Sequence, residues 1–282
     1  MSECALHVER HGRGPALMLL HGYSGSGRSM AGLAHAFGRD YETLAPDLPG
    51  HGRSVAAACV DGYCFEDCLG DLAAALGSSG HRRAHWLGYS MGARLALGCA
   101  VRYPGVVDSL VLVAGRAGIA DPDERAARRQ ADDRLAVRIE TLGVAAFVDE
   151  WLAQPLFASL TRRGPRFVAN ERRARLANDA RGLAASLRAF GPGAQPPLFE
   201  ELPRVRVPVL LVAGALDERF VDLARELARL LPQAEVCVIP DAGHAVHVEQ
   251  PAALVRVASD FLRRAAGPAP SIPSRSVQET AT

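Results

Sequence analysis

Lysine is absent from this sequence of 282 residues, so all 32 basic residues are arginine. Without lysine the protein cannot form a Schiff base through a side-chain amine, attach pyridoxal phosphate or use a P-loop lysine. An excess of either charge is also missing, because 31 acidic residues leave a formal net charge of +1. This balance argues against nucleic acid or a membrane surface as the main partner.

Paired cysteines and long apolar runs are missing too. The six cysteines contain no C-x-x-C pair and no metal-ligand spacing, so we expect free thiols in a reducing compartment. No basic segment at the N-terminus leads into an apolar core and a cleavage site, and the longest apolar runs have only strand length. We therefore expect no signal peptide, no transmembrane helix and a cytoplasmic location.

Short apolar runs alternate with helical patterns along most of the chain. The predicted strands are 16–20, 43–47, 85–89, 109–114, 208–214 and 236–239, and the predicted helices are 29–37, 65–76, 93–103, 221–231 and 252–265. This alternation is typical of an α/β fold with a mostly parallel sheet and helices on both faces.

The strand pattern stops between residues 119 and 203. This arginine-rich segment has helical stretches near 123–141, 144–151, 171–176 and 183–190. We interpret it as a helical cap, or lid, inserted into a core formed by residues 1–118 and 204–265. A solvated helical decoration is the alternative. Residues 266–282 are rich in proline and serine, which predicts a disordered tail.

A G-x-S-x-G motif at residues 88–92 follows an apolar run and precedes a helical pattern. In that context the motif indicates a nucleophile elbow, a sharp turn from strand to helix that exposes Ser90. The flanking glycines relieve crowding at such a strained turn. Arg94 lies four residues further on, so it shares a helix face with Ser90 and places a cation beside the hydroxyl.

Serine needs a partner base and an orienting acid, and in this fold they follow it in the order acid, then histidine. Asp217 follows the strand 208–214, and His244 follows the last strand, so these two residues complete a predicted triad with Ser90. Alternatively, Asp217 is a helix N-cap and His244 an ordinary loop histidine. Asp241 is a second candidate for the acid.

Two backbone N–H groups are the expected oxyanion donors: that of Met91, which follows the serine, and that of Tyr23, in the loop after the first clear strand. We interpret His21 and His51 as residues that order nearby loops. His247 receives no role.

These motifs, with D-L-P-G-H-G-R-S at residues 47–54 and A-G-H at 242–244, resemble the α/β-hydrolase superfamily. The finer pattern over residues 17–262 is similar to the 2-succinyl-6-hydroxy-2,4-cyclohexadiene-1-carboxylate synthases of menaquinone biosynthesis. This resemblance rests on G-Y-S-M-G-A-R at 88–94, A-A-R-R at 126–129 with a downstream tryptophan, G-P-G-A-Q-P-P-L-F at 191–199 and A-G-H-A-V-H-V-E at 242–249.

The resemblance implies a lyase without metal or cofactor that removes a carbon-bound proton and eliminates pyruvate. Ser90 would be the immediate base, His244 would receive its proton, and Asp217 would orient His244. The implied substrate carries three carboxylates, which arginine binds well through its planar fork. The family's motif positions correspond to Arg94, Arg128 and Arg175, with Tyr89 and Trp151 as further pocket residues. From sequence alone Arg128 and Arg175 could also be solvated cap arginines, and Arg129 is the alternative to Arg128.

The chain departs from the family after the strand 109–114, where A-G-R-A-G places Arg116 beside the expected pocket. Arg116 could change the charge of the pocket floor or point away from it. Two other functions stay open: a carboxylesterase or carbon–carbon bond hydrolase with Ser90 as nucleophile, and a non-catalytic small-molecule binding protein. The expected partner is a small polycarboxylate, and the expected assembly is a monomer or small homo-oligomer.

Overall fold

A seven-stranded sheet forms the centre of the computed structural model, which describes residues 5–55 and 61–266. The strands are β1 (Val8–His11), β2 (Ala16–Leu20), β3 (Glu42–Pro46), β4 (Ala84–Tyr89), β5 (Val107–Val113), β6 (Val209–Gly214) and β7 (Ala234–Ile239). Their order across the sheet is β1-β3-β2-β4-β5-β6-β7. β1 is antiparallel to β3, and the other strands run parallel to one another.

The prediction of a mostly parallel sheet with helices on both faces is confirmed. Helices of the core are α1 (Ala31–Phe37), α2 (Phe65–Ser78), α3 (Met91–Arg102), α7 (Glu218–Leu230), α8 (Val246–Glu249) and α9 (Pro251–Ala265). The edge strand β1 was not predicted, because its four residues, V-E-R-H, are half-buried or exposed and show no apolar run.

Alternate side chains of each buried strand enter separate cores on the two faces of the sheet. Met18 and Leu20 pack in a cluster that includes side chains of α2, α3 and α7. Leu17 and Leu19 pack in a second cluster with side chains of α1 and α9. Continuous apolar runs in the sequence therefore reflect burial on both faces.

Helices occupy most of the segment between β5 and β6. They are α4 (Pro122–Leu152), α5 (Pro165–Arg175) and α6 (Ala180–Phe190), with a 3-10 helix at Pro155–Arg163. α4 contains a kink at Gly143, which has φ 80° and ψ 171°. The sequence pattern predicted one helix on each side of this residue, at 123–141 and 144–151, and no helix at 155–163.

The cap has a small apolar core of its own and also docks on the loops above the sheet. Side chains of α4 and α6, among them Ile139 and Leu183, form that core. Asn178 donates to the backbone oxygen of Ser24 at 2.8 Å and accepts from the backbone N–H of Gly52 at 3.0 Å. These bonds connect the cap to two loops of the core.

Some sequence-based expectations fall partly outside the described residues. Residues 267–282 of the expected disordered tail lie there, and so do Cys4 and Cys59. The other four cysteines, Cys64, Cys68, Cys99 and Cys237, are free thiols. Within residues 5–55 and 61–266, no helix combines the length and apolar character that crossing a bilayer needs.

Candidate active site

Ser90 stands at the turn between β4 and α3 with φ 51°, a left-handed conformation that a serine adopts only under constraint. The flanking glycines are required by space. A Cβ on Gly88 would lie 2.3 Å from the backbone oxygen of Gly92, and one on Gly92 would lie 2.3 Å from that of Leu20. The Ser90 N–H donates to Val113 of β5 at 2.8 Å, which holds the turn against the sheet.

The structure brings Ser90, His244 and Asp217 together. His244 Nε2 lies 3.0 Å from Ser90 Oγ, and His244 Nδ1 lies 2.8 Å from Asp217 Oδ2. Only 2% of the His244 side chain is exposed. A hydroxyl, an imidazole and a carboxylate in this chain can move a proton between Ser90 and His244.

The structure decides between Asp217 and Asp241 as the carboxylate that pairs with His244. Asp217 does occupy the N-cap position of α7, but its side chain makes no capping hydrogen bond and contacts His244 instead. Asp241 is exposed and lines a different surface depression. Asp217 is therefore the carboxylate paired with His244.

Met91 and Tyr23, the two expected oxyanion donors, line the same pocket as Ser90. Met91 is the first residue of α3, where a backbone N–H has no partner within the helix. The Tyr23 side chain connects its loop to the cap, because its hydroxyl donates to the backbone oxygen of Leu183 at 3.0 Å. Its ring also packs against Trp151, with the ring centres 5.4 Å apart.

His21 and His51 hold the loops around the site. His21 Nε2 accepts from the Leu48 N–H at 3.0 Å, and His51 Nε2 accepts from the Ser24 N–H at 3.2 Å. Burial lowers the pKa of His21 to about 4 and that of His51 to about 3, so both rings are neutral acceptors at pH 7.

Arg94 points into the pocket from a buried position on α3. Its Nη1 donates to the Phe190 backbone oxygen at 3.0 Å and to Gln195 Oε1 at 2.8 Å. Burial and, secondarily, the charge of Arg128 lower the pKa of Arg94 to about 9. Neutral acceptors fix this guanidinium without cancelling its charge, which leaves it available to an anion.

The two cap arginines selected by the resemblance also line the pocket. Arg128 Nε donates to Asp132 at 2.8 Å, and Arg175 Nη1 donates to Glu171 Oε2 at 2.6 Å. In each pair the two residues are four positions apart on the same helix, α4 for the first pair and α5 for the second. The Nε of Arg175 is buried without a partner among the described residues. Arg129 is exposed, and it is Arg128 that lines the pocket.

Aromatic side chains close the apolar side of the pocket. Tyr89 stacks on His247 with the ring centres 4.0 Å apart, and Trp151 packs against Phe157 at 5.7 Å. Burial, then the charges of Arg175 and His244, lowers the pKa of His247 to about 3. His247 is therefore a neutral ring behind Tyr89, a position that the sequence pattern did not assign.

Two pocket arginines were not predicted as binding residues. Arg116 lines the pocket, which answers the question that its position in the sequence left open, and Arg219 lines it from the start of α7. Arg219 follows Asp217 by two residues, and this spacing was the only signal that could have found it. Within the described ranges, no three His, Cys, Asp or Glu side chains are grouped so as to bind a metal ion.

The fold, the elbow and the triad geometry are those of the α/β-hydrolase class, and the family model of the alpha/beta hydrolase fold matches residues 15–251. The chain belongs to this family. It is 35% identical over 265 residues to a 2-succinyl-6-hydroxy-2,4-cyclohexadiene-1-carboxylate synthase of Escherichia coli O1:K1 / APEC, with 92% of this chain and 99% of the relative covered.

Two solved structures are similar over most of the chain. MenH from S. aureus superposes with a TM-score of 0.87 at 29% identity, covering 92% of this chain and 99% of that one. A thermophilic esterase from Thermogutta terrifontis superposes with a TM-score of 0.81 at 25% identity, covering 92% and 93%. Since one structural neighbour is an esterase, the fold alone does not select the reaction.

Proposed function

We propose that this protein is a lyase that eliminates pyruvate from 2-succinyl-5-enolpyruvyl-6-hydroxy-3-cyclohexene-1-carboxylate to give 2-succinyl-6-hydroxy-2,4-cyclohexadiene-1-carboxylate. One observation carries the proposal: the pocket above Ser90 and His244 is lined by five arginines, and no aspartate or glutamate is among its lining residues in the described part of the chain. This pocket suits a substrate with several carboxylates. The name of the Escherichia coli relative agrees with it.

The proposed reaction begins with removal of the proton from the ring carbon that carries the succinyl group. Ser90 Oγ takes this proton while its own proton passes to His244 Nε2, 3.0 Å away. Asp217 accepts a hydrogen bond from Nδ1 and stabilises the imidazolium that forms. The succinyl carbonyl makes the proton acidic, because the electron pair left behind becomes an enolate.

The enolate oxygen would lie against the backbone N–H groups of Tyr23 and Met91. Preorganised donors that meet a developing negative charge are among the largest contributions to catalysis. Collapse of the enolate shifts the ring double bond and breaks the carbon–oxygen bond to the enolpyruvyl group. The departing enolate of pyruvate takes a proton from His244, and Ser90 and His244 return to their starting states.

Arg94, Arg128 and Arg175 would hold substrate carboxylates around this reaction, with Tyr89 and Trp151 forming the apolar wall. A cation fixed by neutral acceptors, such as Arg94, keeps its full charge for the substrate. The carboxylates behind Arg128 and Arg175 instead fix the orientation of each guanidinium fork. Small-molecule binding, a cytoplasmic location and a monomer or small homo-oligomer stay expectations from the sequence.

Measurement of pyruvate release from this substrate tests the proposal. We expect Ser90→Ala to lower kcat by about 1,000-fold or more, because the immediate base is lost, with little change in KM. Ser78→Ala, on the exposed surface of α2, is the matched control and is expected to keep wild-type activity.

A wild-type protein that releases no pyruvate above the uncatalysed background would contradict the proposal. Efficient hydrolysis of p-nitrophenyl esters by such a protein, lost in Ser90→Ala, would instead assign Ser90 as a nucleophile. Ligand binding with no activity that depends on Ser90 would indicate a binding protein.

A further inference from the structure

Arg116 and Arg219 are pocket arginines that the proposed reaction has not yet used. They come from neighbouring parallel strands: Arg116 lies in the loop after β5, and Arg219 lies just beyond the end of β6. The carboxyl ends of parallel strands meet at one edge of a sheet, which is why two arginines distant in sequence share one wall of the pocket.

The loop after β5 contains two residues with positive φ. Ala114 has φ 50° and Gly118 has φ 112°, and both values lie in the left-handed region. Arg116 Nε donates to the Gly118 backbone oxygen at 3.0 Å, so the guanidinium is attached to its own loop by one nitrogen. Among residues 5–55 and 61–266, no carboxylate forms an ion pair with Arg116.

Arg219 is the second residue of α7, and it is exposed at the pocket. It has neither a hydrogen bond nor an ion pair with any residue that the structure describes. Arg225 on the same helix provides a contrast, because it pairs with Asp222 at 3.3 Å. Arg219 therefore lines the pocket without a hydrogen-bonding or ion-pairing partner among the described residues.

The charges of the pocket support a ligand at this wall. Of its five arginines, Arg128 is paired with Asp132 and Arg175 with Glu171. Arg94, Arg116 and Arg219 form no ion pair with a carboxylate of the described residues, so three of the five cations have no directly bound negative charge. The substrate of the proposed reaction has three carboxylates, so its total charge balances that of these three arginines.

The position of the wall relative to His244 indicates which carboxylate it takes. Phe220, the neighbour of Arg219, packs edge-on against the His244 ring with the centres 4.5 Å apart. The group that receives the proton from His244 in the proposed reaction is the departing enolpyruvyl group. Its carboxylate is the one that would lie closest to this side of the imidazole.

We propose that Arg116 and Arg219 form a separate subsite for the carboxylate of the departing three-carbon group, and therefore bind the product pyruvate. This inference rests on the proposed function. Charge-assisted hydrogen bonds from the two guanidinium groups hold the leaving group beside His244 while it takes up its proton. The other arginines hold the carboxylates that remain on the ring product.

Steady-state kinetics with pyruvate as product inhibitor tests the subsite. For Arg219→Gln, for Arg116→Gln and for the double variant, we expect kcat/KM to fall about tenfold or more per arginine, and the inhibition constant of pyruvate to rise by a similar factor. Arg225→Gln, on α7 outside the pocket, is the matched control and is expected to retain both wild-type values. Succinate resembles the ring-attached chain, so its inhibition is expected to change less.

Unchanged kcat/KM and pyruvate inhibition in Arg219→Gln would overturn the inference. That variant alters an exposed side chain, so it remains decisive even if Arg116→Gln, whose Nε supports a loop, fails to fold. If the wild type eliminates no pyruvate, the proposed function fails, and calorimetric titration with pyruvate then decides the subsite. Weaker binding to Arg219→Gln than to the wild type supports it; equal binding, or none to the wild type, refutes it.

Discussion

The individual arginines of this pocket differ in their hydrogen-bond partners within the protein, and this difference predicts how each responds to substitution. Arg94 is buried against two neutral acceptors, whereas Arg128 and Arg175 are each paired with a carboxylate one helical turn away. All three guanidinium groups are held by hydrogen bonds, but the acceptors of Arg94 carry no negative charge. In the proposed reaction each of them donates charge-assisted hydrogen bonds to a substrate carboxylate, so removing any one is expected to weaken catalysis.

Arg175→Ala is expected to lower kcat/KM for pyruvate release by about 10- to 100-fold, since a hydrogen bond between charged groups contributes roughly 1.5–3 kcal/mol. Arg173→Ala changes an exposed arginine on the same helix and serves as control. The measurement is initial-rate kinetics of both variants. A loss below about threefold for Arg175→Ala would remove this residue from the set of substrate-binding residues.

At the scale of secondary-structure elements, the kink of α4 decides how the cap faces the sheet. Arg128 lies before Gly143 and Trp151 lies after it, and both side chains line the pocket. A straight helix of 31 residues could not direct both halves toward the same site. Gly143 can hold φ 80° and ψ 171° because it has no Cβ.

Gly143→Ala is expected to reduce the free energy of unfolding by about 1–3 kcal/mol through backbone strain alone. No atom lies within 4 Å of a Cβ built at this position, so no steric clash contributes. Gly77→Ala near the end of α2 is the control, because a Cβ there also meets open space and the backbone is helical. The Gly77→Ala substitution is expected to increase the free energy of unfolding by about 0.5–1 kcal/mol. Urea denaturation measures both, and equal stability of Gly143→Ala and the wild type would contradict the expectation.

For the whole molecule, three buried histidines make the free energy of unfolding depend on pH. Burial lowers the pKa values of His21, His51 and His247 from 6.5 to about 4, 3 and 3. Below pH 6.5 the unfolded chain therefore binds protons that the folded chain does not. The stability from these neutral rings is complete above pH 6.5 and is lost as the pH falls toward the folded-state values.

His247→Phe should make the protein less sensitive to acid. The phenyl ring can still stack on Tyr89, but one titrating group is removed. Each such histidine contributes roughly 1.4 kcal/mol per pH unit below pH 6.5. Between pH 7 and pH 5 the wild type is thus expected to lose about 2 kcal/mol more than His247→Phe. The free energy of unfolding of both proteins at the two pH values checks this, and parallel losses would refute it.

Most of the sheet could be predicted from the sequence because β2 to β6 are apolar runs buried on both faces, a pattern that local composition reveals. The edge strand β7 is only partly buried, but it still contains the apolar run V-C-V-I. β1 and the 3-10 helix at Pro155–Arg163 could not. β1 is short, polar and at the edge of the sheet. In the 3-10 helix, Phe157 and Leu160 pack in the cluster formed with one face of the sheet, a contact between parts of the chain distant in sequence. The triad was predictable since Ser90, Asp217 and His244 each follow a strand in the order that this fold uses.

The sequence by itself determined the elbow, the order of the triad residues and the family resemblance, because these depend on residue types at short spacings along the chain. Only the tertiary structure decided which arginines surround Ser90. Arg116 and Arg219 are 103 positions apart in the numbering, and their approach depends on the adjacency of β5 and β6. Among the residues that the structure describes, two arginines of the pocket form ion pairs with carboxylates and the other three do not. Charge compensation is a property of distances in space, and no pattern along the chain encodes it directly.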